Sequence, residues 1–141
     1  MTKLKFLPLL LLFVACIENS PEPINKSVLI SGSDAFGKTY SISSIELELG
    51  TLQPHPCLTD NFITYFPNGN YEINEGATKC DPNAPPALVG FWELNRDQTQ
   101  LLVDIDGLIQ TWNVESVNRQ NHRISSLFNE GERTYSLTAT N

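Results

Sequence analysis

At 141 residues, 40% hydrophobic and 18% charged, the chain has room for one globular domain with a modest core and not for two. Its formal net charge of -7 repels phosphate backbones and anionic headgroups, which argues against nucleic acid as a partner. Low-complexity tracts and internal repeats are absent, and no apolar stretch is long enough to cross a bilayer as a helix.

The first element is a leader over residues 1–15. Lys3 and Lys5 precede an apolar run from Phe6 to Val14, broken only by Pro8, which is too short to span a membrane and correctly charged for export. Phe13, Val14 and Ala15 run directly into Cys16, and this tetrapeptide resembles the lipobox of bacterial lipoproteins, with Phe13 in place of the usual aliphatic residue. The resemblance implies cleavage before Cys16, a diacylglyceryl group on its thiol and acylation of the new amine. The bilayer would then be a partner through acylated Cys16, since two or more acyl chains are needed for durable anchoring at roughly 0.8 kcal/mol per buried methylene. A plain signal peptide with an incidental cysteine is the weaker reading. Ile17, where an Asp would favour inner-membrane retention, points to the outer membrane, with periplasmic and surface orientations both open. Residues 16–35, polar and punctuated by Pro21 and Pro23, read as a flexible tether.

From residue 36 to 141 the texture is short alternating runs separated by Gly, Asn, Asp and Pro, the pattern of an all-β barrel or sandwich. The first predicted strand is Lys38 to Leu49. Tyr40 and Ile42 share one phase and Ile45, Leu47 and Leu49 the other, so a bulge is expected near Ser43-Ser44, and Glu46 and Glu48 fall on the solvated face. Phe62 to Phe66 and Asn70 to Glu75 form a hairpin through Pro67-Asn68-Gly69. A two-residue Asn-Gly turn would place Pro67 where a ladder N–H is needed. A three-residue loop with Gly69 in the left-handed region instead pairs Tyr65 with Tyr71 and Ile63 with Ile73.

Extending that hairpin outward brings Cys57 and Cys80 almost opposite each other, so a disulfide is predicted, constraining the unfolded chain by roughly 3 kcal/mol in the loop-entropy picture. His55 makes a metal site the rival reading, but no fourth ligand stands at a recognisable spacing and no metal or other cofactor is expected. The remaining strands are Leu88 to Leu94, Gln100 to Ile105, Leu108 to Glu115, Arg123 to Phe128 and Arg133 to Ala139. Asp106-Gly107 is a two-residue hairpin turn that pairs Ile105 with Leu108, Val103 with Gln110 and Leu101 with Trp112. Asp104 and Asp106 lack the further oxygen ligands of a calcium loop.

Eight sequential strands with short connections give an antiparallel meander, and closing it removes two exposed edges, so an eight-stranded up-and-down barrel is expected. Here the order of Cys57, "TDNFITYFPNGNYEINEGATKC" (59–80) and "GFWELNRDQTQLLV" (90–103) resembles the lipocalin-like (calycin-type) domain of small bacterial lipoproteins. Tyr40 stands where such domains often carry a Trp, and only Asp60 represents their acidic pair. The resemblance implies a small barrel with a pocket for a hydrophobic ligand.

The predicted inward set includes Ile63, Tyr65, Tyr71, Ile73, Trp92, Leu94, Leu101, Val103, Trp112, Val114, Tyr135 and Leu137. Its bulk favours a packed interior over a cavity; if a cavity exists, Tyr65, Tyr71, Trp92 and Trp112 should line it. No nucleophile with a base, no convergent acid–base pair and no phosphate-binding glycine loop is visible, so an enzyme is not expected. Two functions remain. One is a membrane-anchored, monomeric binder of a small apolar molecule. The other is an interaction module with a packed barrel that docks to an envelope protein or glycan.

Overall fold

Alternation of apolar and polar residues lays down the strands β1 (Lys38–Leu47), β2 (Gly50–Leu52), β3 (Phe62–Tyr65), β4 (Asn70–Asn74), β5 (Ala87–Leu94), β6 (Gln100–Ile105), β7 (Leu108–Val117), β8 (Asn121–Phe128) and β9 (Gly131–Ala139). Two short helices, α1 (Lys26–Ser31) and α2 (Pro56–Thr59), accompany them in this computed structural model, which describes residues 24–128 and 131–140. The leader expected over 1–15, Cys16 and the first part of the tether lie outside the described residues. All strand pairs are antiparallel. β1 pairs with β3 on one side and with β9 on the other, so β1 and β3 to β9 close into an eight-stranded barrel, as expected.

Turn chemistry fixes the register. Phe66 N–H donates to Asn70 O and Gly69 N–H to Phe66 O, each at 3.0 Å, with Gly69 at φ 86°, and Tyr65 pairs with Tyr71 and Ile63 with Ile73. Asp106 and Gly107 both have positive φ, 53° and 82°, as a primed two-residue turn requires, and Leu101 lies opposite Trp112. The bulge in β1 sits at Ser43: Ile42 pairs with Leu137 and Ser44 with Ser136. The extra residue lets Ile42 and Ile45 turn to the same, inner face. Gly90 has a packing reason, since a Cβ there would lie 2.0 Å from Asp104 O of β6.

Three local features differ from expectation. Residues 26–31 of the predicted tether are helical, with Asn25 Oδ1 accepting from Ser27 N–H at the start and Gly32 at φ 75° closing the end. The helix is held by the barrel, where Ile30 is wholly buried and Lys26 Nζ donates to Gln98 O. The first strand stops at Leu47 instead of Leu49, and the chain turns so that β2 doubles back on Ile45–Leu47 while Leu49 stands fully exposed. α2 forms because Pro56 is preset for a first helical position and the His55 ring accepts from Cys57 N–H.

Antiparallel succession gives the barrel two unlike ends. One, the floor, carries α1 and the turns 66–69, 95–99 and 118–120; the other, the mouth, carries α2, β2, the 75–86 loop and the Asp106-Gly107 turn.

Candidate functional site in the mouth half of the barrel

The floor half is solid. Tyr40, Tyr65 and His122 pack ring against ring, with centroids 5.9 Å apart for Tyr40–Tyr65 and Tyr40–His122 and 5.8 Å for Tyr65–His122. Tyr40 Oη shares its proton between Ile30 O at 3.0 Å and Leu29 O at 3.2 Å, and Lys38 Nζ donates to Leu29 O at 2.9 Å, so α1 is tied down over this cluster. His122 is fully buried, and neither ring nitrogen has a hydrogen-bond partner. Desolvation, with smaller contributions from the Lys38 and Lys26 charges, pushes its pKa down to about 4, so the ring is neutral at physiological pH. Trp92 belongs to this half. Its indole N–H donates to Phe66 O at 2.9 Å and its ring meets Tyr65 edge-on at 5.5 Å.

Above that layer the interior is open. A cavity of about 350 Å³ is bounded by Tyr65 and Tyr71 below, by Ile42, Ile63, Ile73, Val103, Ile105, Ile124 and Leu137 around the wall, and by Leu88, Gln110, Trp112, Phe128 and Tyr135 toward the mouth. The interior is therefore not uniformly packed, as the bulk of its side chains had implied. Of the four residues expected to line a cavity, Tyr65, Tyr71 and Trp112 do and Trp92 does not. Trp112 stands edge-on to Phe128 at 5.8 Å and to Tyr135 at 5.4 Å, and the Arg133 guanidinium lies 4.9 Å above the Phe128 ring. These rings form an aromatic rim. Burial also raises the pKa of the Tyr71 phenol, so the cavity base carries hydroxyls and no charge.

The rim is braced beside β1. Cys57 and Cys80 form the expected disulfide, Cα to Cα 5.1 Å, between α2 and the 75–86 loop. Asp60 Oδ2 accepts from Thr78 N–H at 2.8 Å and Ala77 N–H at 3.0 Å. The Thr78 N–H in particular holds this carboxyl below the usual carboxylate range, against a smaller opposing desolvation. Buried Asn61, with its amide oriented to satisfy both neighbours, donates to Glu75 O at 2.7 Å and Cys57 O at 3.2 Å. His55 Nδ1 lies 3.1 Å from Cys57 Sγ.

No protein-family model matches the chain, and no curated protein matches it in sequence. Solved structures do match in shape. A lipocalin-like protein from Bacteroides uniformis superposes with a TM-score of 0.53 at 8% identity, over 72% of this chain and 94% of that one. The fold is lipocalin-like. An uncharacterized protein from Bacteroides eggerthii shares it, with a TM-score of 0.52 at 9% identity over 72% of this chain and 97% of that one. At such identities the lipocalin-like barrel is common property, while the side chains that line it are this chain's own.

Not named as inward-facing in the sequence reading were Gln110 as the polar member of the lining, Ile42, Ile105 and Ile124 in its wall, Leu88 and Phe128 toward the mouth, and the buried His122. The pairing of Val103 with Gln110 already put Gln110 on the inner face, and that signal could have found it.

Proposed function

We propose that this protein binds one small apolar molecule in the mouth half of its lipocalin-like barrel, without turnover, and is held at a membrane of the bacterial envelope through acylated Cys16. The cavity carries the reading. Its 350 Å³ falls at the lower end of the roughly 300–1,000 Å³ typical of ligand pockets, and its wall is aliphatic and aromatic with Gln110 as a polar anchor near the rim. A molecule with an apolar body and one hydrogen-bonding group matches that lining.

Titration of the purified protein with an apolar fluorescent dye should give a single saturable site and quench Trp112. Ile105→Trp, which fills the cavity from its wall, should weaken the dye at least tenfold while the fold survives; an unchanged dye affinity would remove this reading. Native mass spectrometry of protein from its own host should find a retained ligand. Detergent partitioning of Cys16→Ala tests the anchor, which fails as an idea if membrane association persists.

The outer wall supports a second reading, the interaction module. Val89 and Phe91, each 66% exposed, border a depression of about 580 Å³ with Phe66, Glu72 and Asp104. Loss of partner capture from envelope extracts on Phe91→Ser, with dye binding intact, would favour it.

A further inference from the structure

We propose that the Cys57–Cys80 disulfide is a thiol-exchange site, at which a low-molecular-weight thiol such as glutathione becomes covalently attached to Cys80 while Cys57 leaves as the stabilised sulfur. This stands apart from the cavity reading, because it uses the outside of the rim.

The two sulfurs are unlike. Cys80 is exposed, whereas Cys57 is 5% exposed, so an incoming thiolate reaches Cys80 first. Attack forms a bond from the external sulfur to Cys80 Sγ and breaks the Cys57–Cys80 bond, and the electron pair goes to Cys57 Sγ. A buried thiolate is a poor leaving group unless a cation or proton donor meets it. His55 stands where one is needed. Its Nδ1 lies 3.1 Å from Cys57 Sγ, and when the ring takes a proton at Nδ1 it gives up the bond from Cys57 N–H and donates that proton to the departing sulfur. The products are an S-thiolated Cys80 and a Cys57 thiol, with no further oxidant or reductant consumed.

The surrounding structure allows the bond to open without loss of the fold. The Asp60 bonds to Ala77 and Thr78, and that of Asn61 to Glu75 O, hold the same two segments together independently of sulfur. His55 also caps α2, since its Nδ1 accepts from Cys57 N–H at 3.3 Å, so removal of the ring alone would confuse capping with proton donation. Asn is a good cap that cannot donate a labile proton to a thiolate.

The test is incubation of the full chain with reduced glutathione, followed by acid quenching, alkylation and peptide mass spectrometry. One glutathione per chain on Cys80, an alkylated Cys57 and an unchanged circular dichroism spectrum are expected. His55→Asn should slow adduct formation by roughly tenfold through the poorer leaving group. In a Cys80→Ser background, thiolate absorbance should emerge at lower pH with His55 present than with His55→Asn added. No adduct, an adduct on Cys57, an unchanged rate in His55→Asn or unfolding on opening would each overturn the proposal.

Discussion

The floor and the mouth of this barrel are made from the same strands, often from residues two apart in one strand, yet one half is close-packed and the other encloses a cavity. The floor gains a contribution from outside the sheet: α1 brings Ile30 and two backbone carbonyls down onto Tyr40, and the rings of Tyr65, Trp92 and His122 close the layer. The mouth has no such plug among the described residues, and its aromatic rings stand edge to edge around a void. Close packing and free space are thereby separated along the barrel axis.

Substitutions can break that separation or sharpen it. The largest effect should come from the floor: Leu101, fully buried, loses its contacts on all sides in Leu101→Ala, which should cost about 3 kcal/mol by chemical denaturation. Trp112→Ala removes a larger side chain but one that already borders empty space, so about 1–2 kcal/mol is expected, together with a strong loss of dye binding. Equal stability losses at the two positions would erase the distinction.

Next comes acid. The His122 ring takes up a proton near pH 6.5 in the unfolded chain and only near pH 4 in the folded barrel. Its contribution is therefore full above pH 6.5 and is lost progressively down to pH 4, a total of about 3 kcal/mol. His122→Leu should flatten that part of the pH–stability curve, with little loss at pH 7 because the ring nitrogens it removes have no partners. Tyr40→Phe should cost about 1 kcal/mol and selectively raise amide exchange in residues 26–31. The smallest effect belongs to the side wall, where Glu46 and Arg123 pair with their side chains 35% and 44% exposed; Arg123→Ala should shift stability by no more than about 0.5 kcal/mol through that pair.

The hairpins, the β1 bulge and the disulfide were legible in the sequence because local chemistry decides them: Pro67 and Gly69 admit one loop, Asp106-Gly107 one turn, and Cys57 and Cys80 follow from the first. Inward phase was legible too, but height along the axis was not. Strands in a closed barrel are tilted and staggered, so a row of paired residues climbs. Trp92, Val103 and Gln110 are successive partners across β5, β6 and β7, yet Trp92 lies near the floor and Gln110 near the mouth. Phase alone could not tell a plug from a lining residue. α1 escaped because six residues carry too little periodicity, and its helix depends on Ile30 and Lys26 finding the barrel. His122 escaped because Asn121 and Arg123 flank it, although its pairing with Leu137 places it on the inner face.

Both ends of the described chain leave from the same side of the barrel. α1 begins beside the Gln98 turn, and Thr140 N–H donates to Thr39 O at the start of β1. Whatever lies upstream of Ile24 therefore attaches opposite the cavity's entrance, and so does anything added after Thr140. A tag, a surface or a pulling force applied at Ile24 or Thr140 bears first on α1 or the end of β9, at the pole away from the aromatic rim. The molecule thus has a built-in polarity, with a handle at one pole and a port at the other.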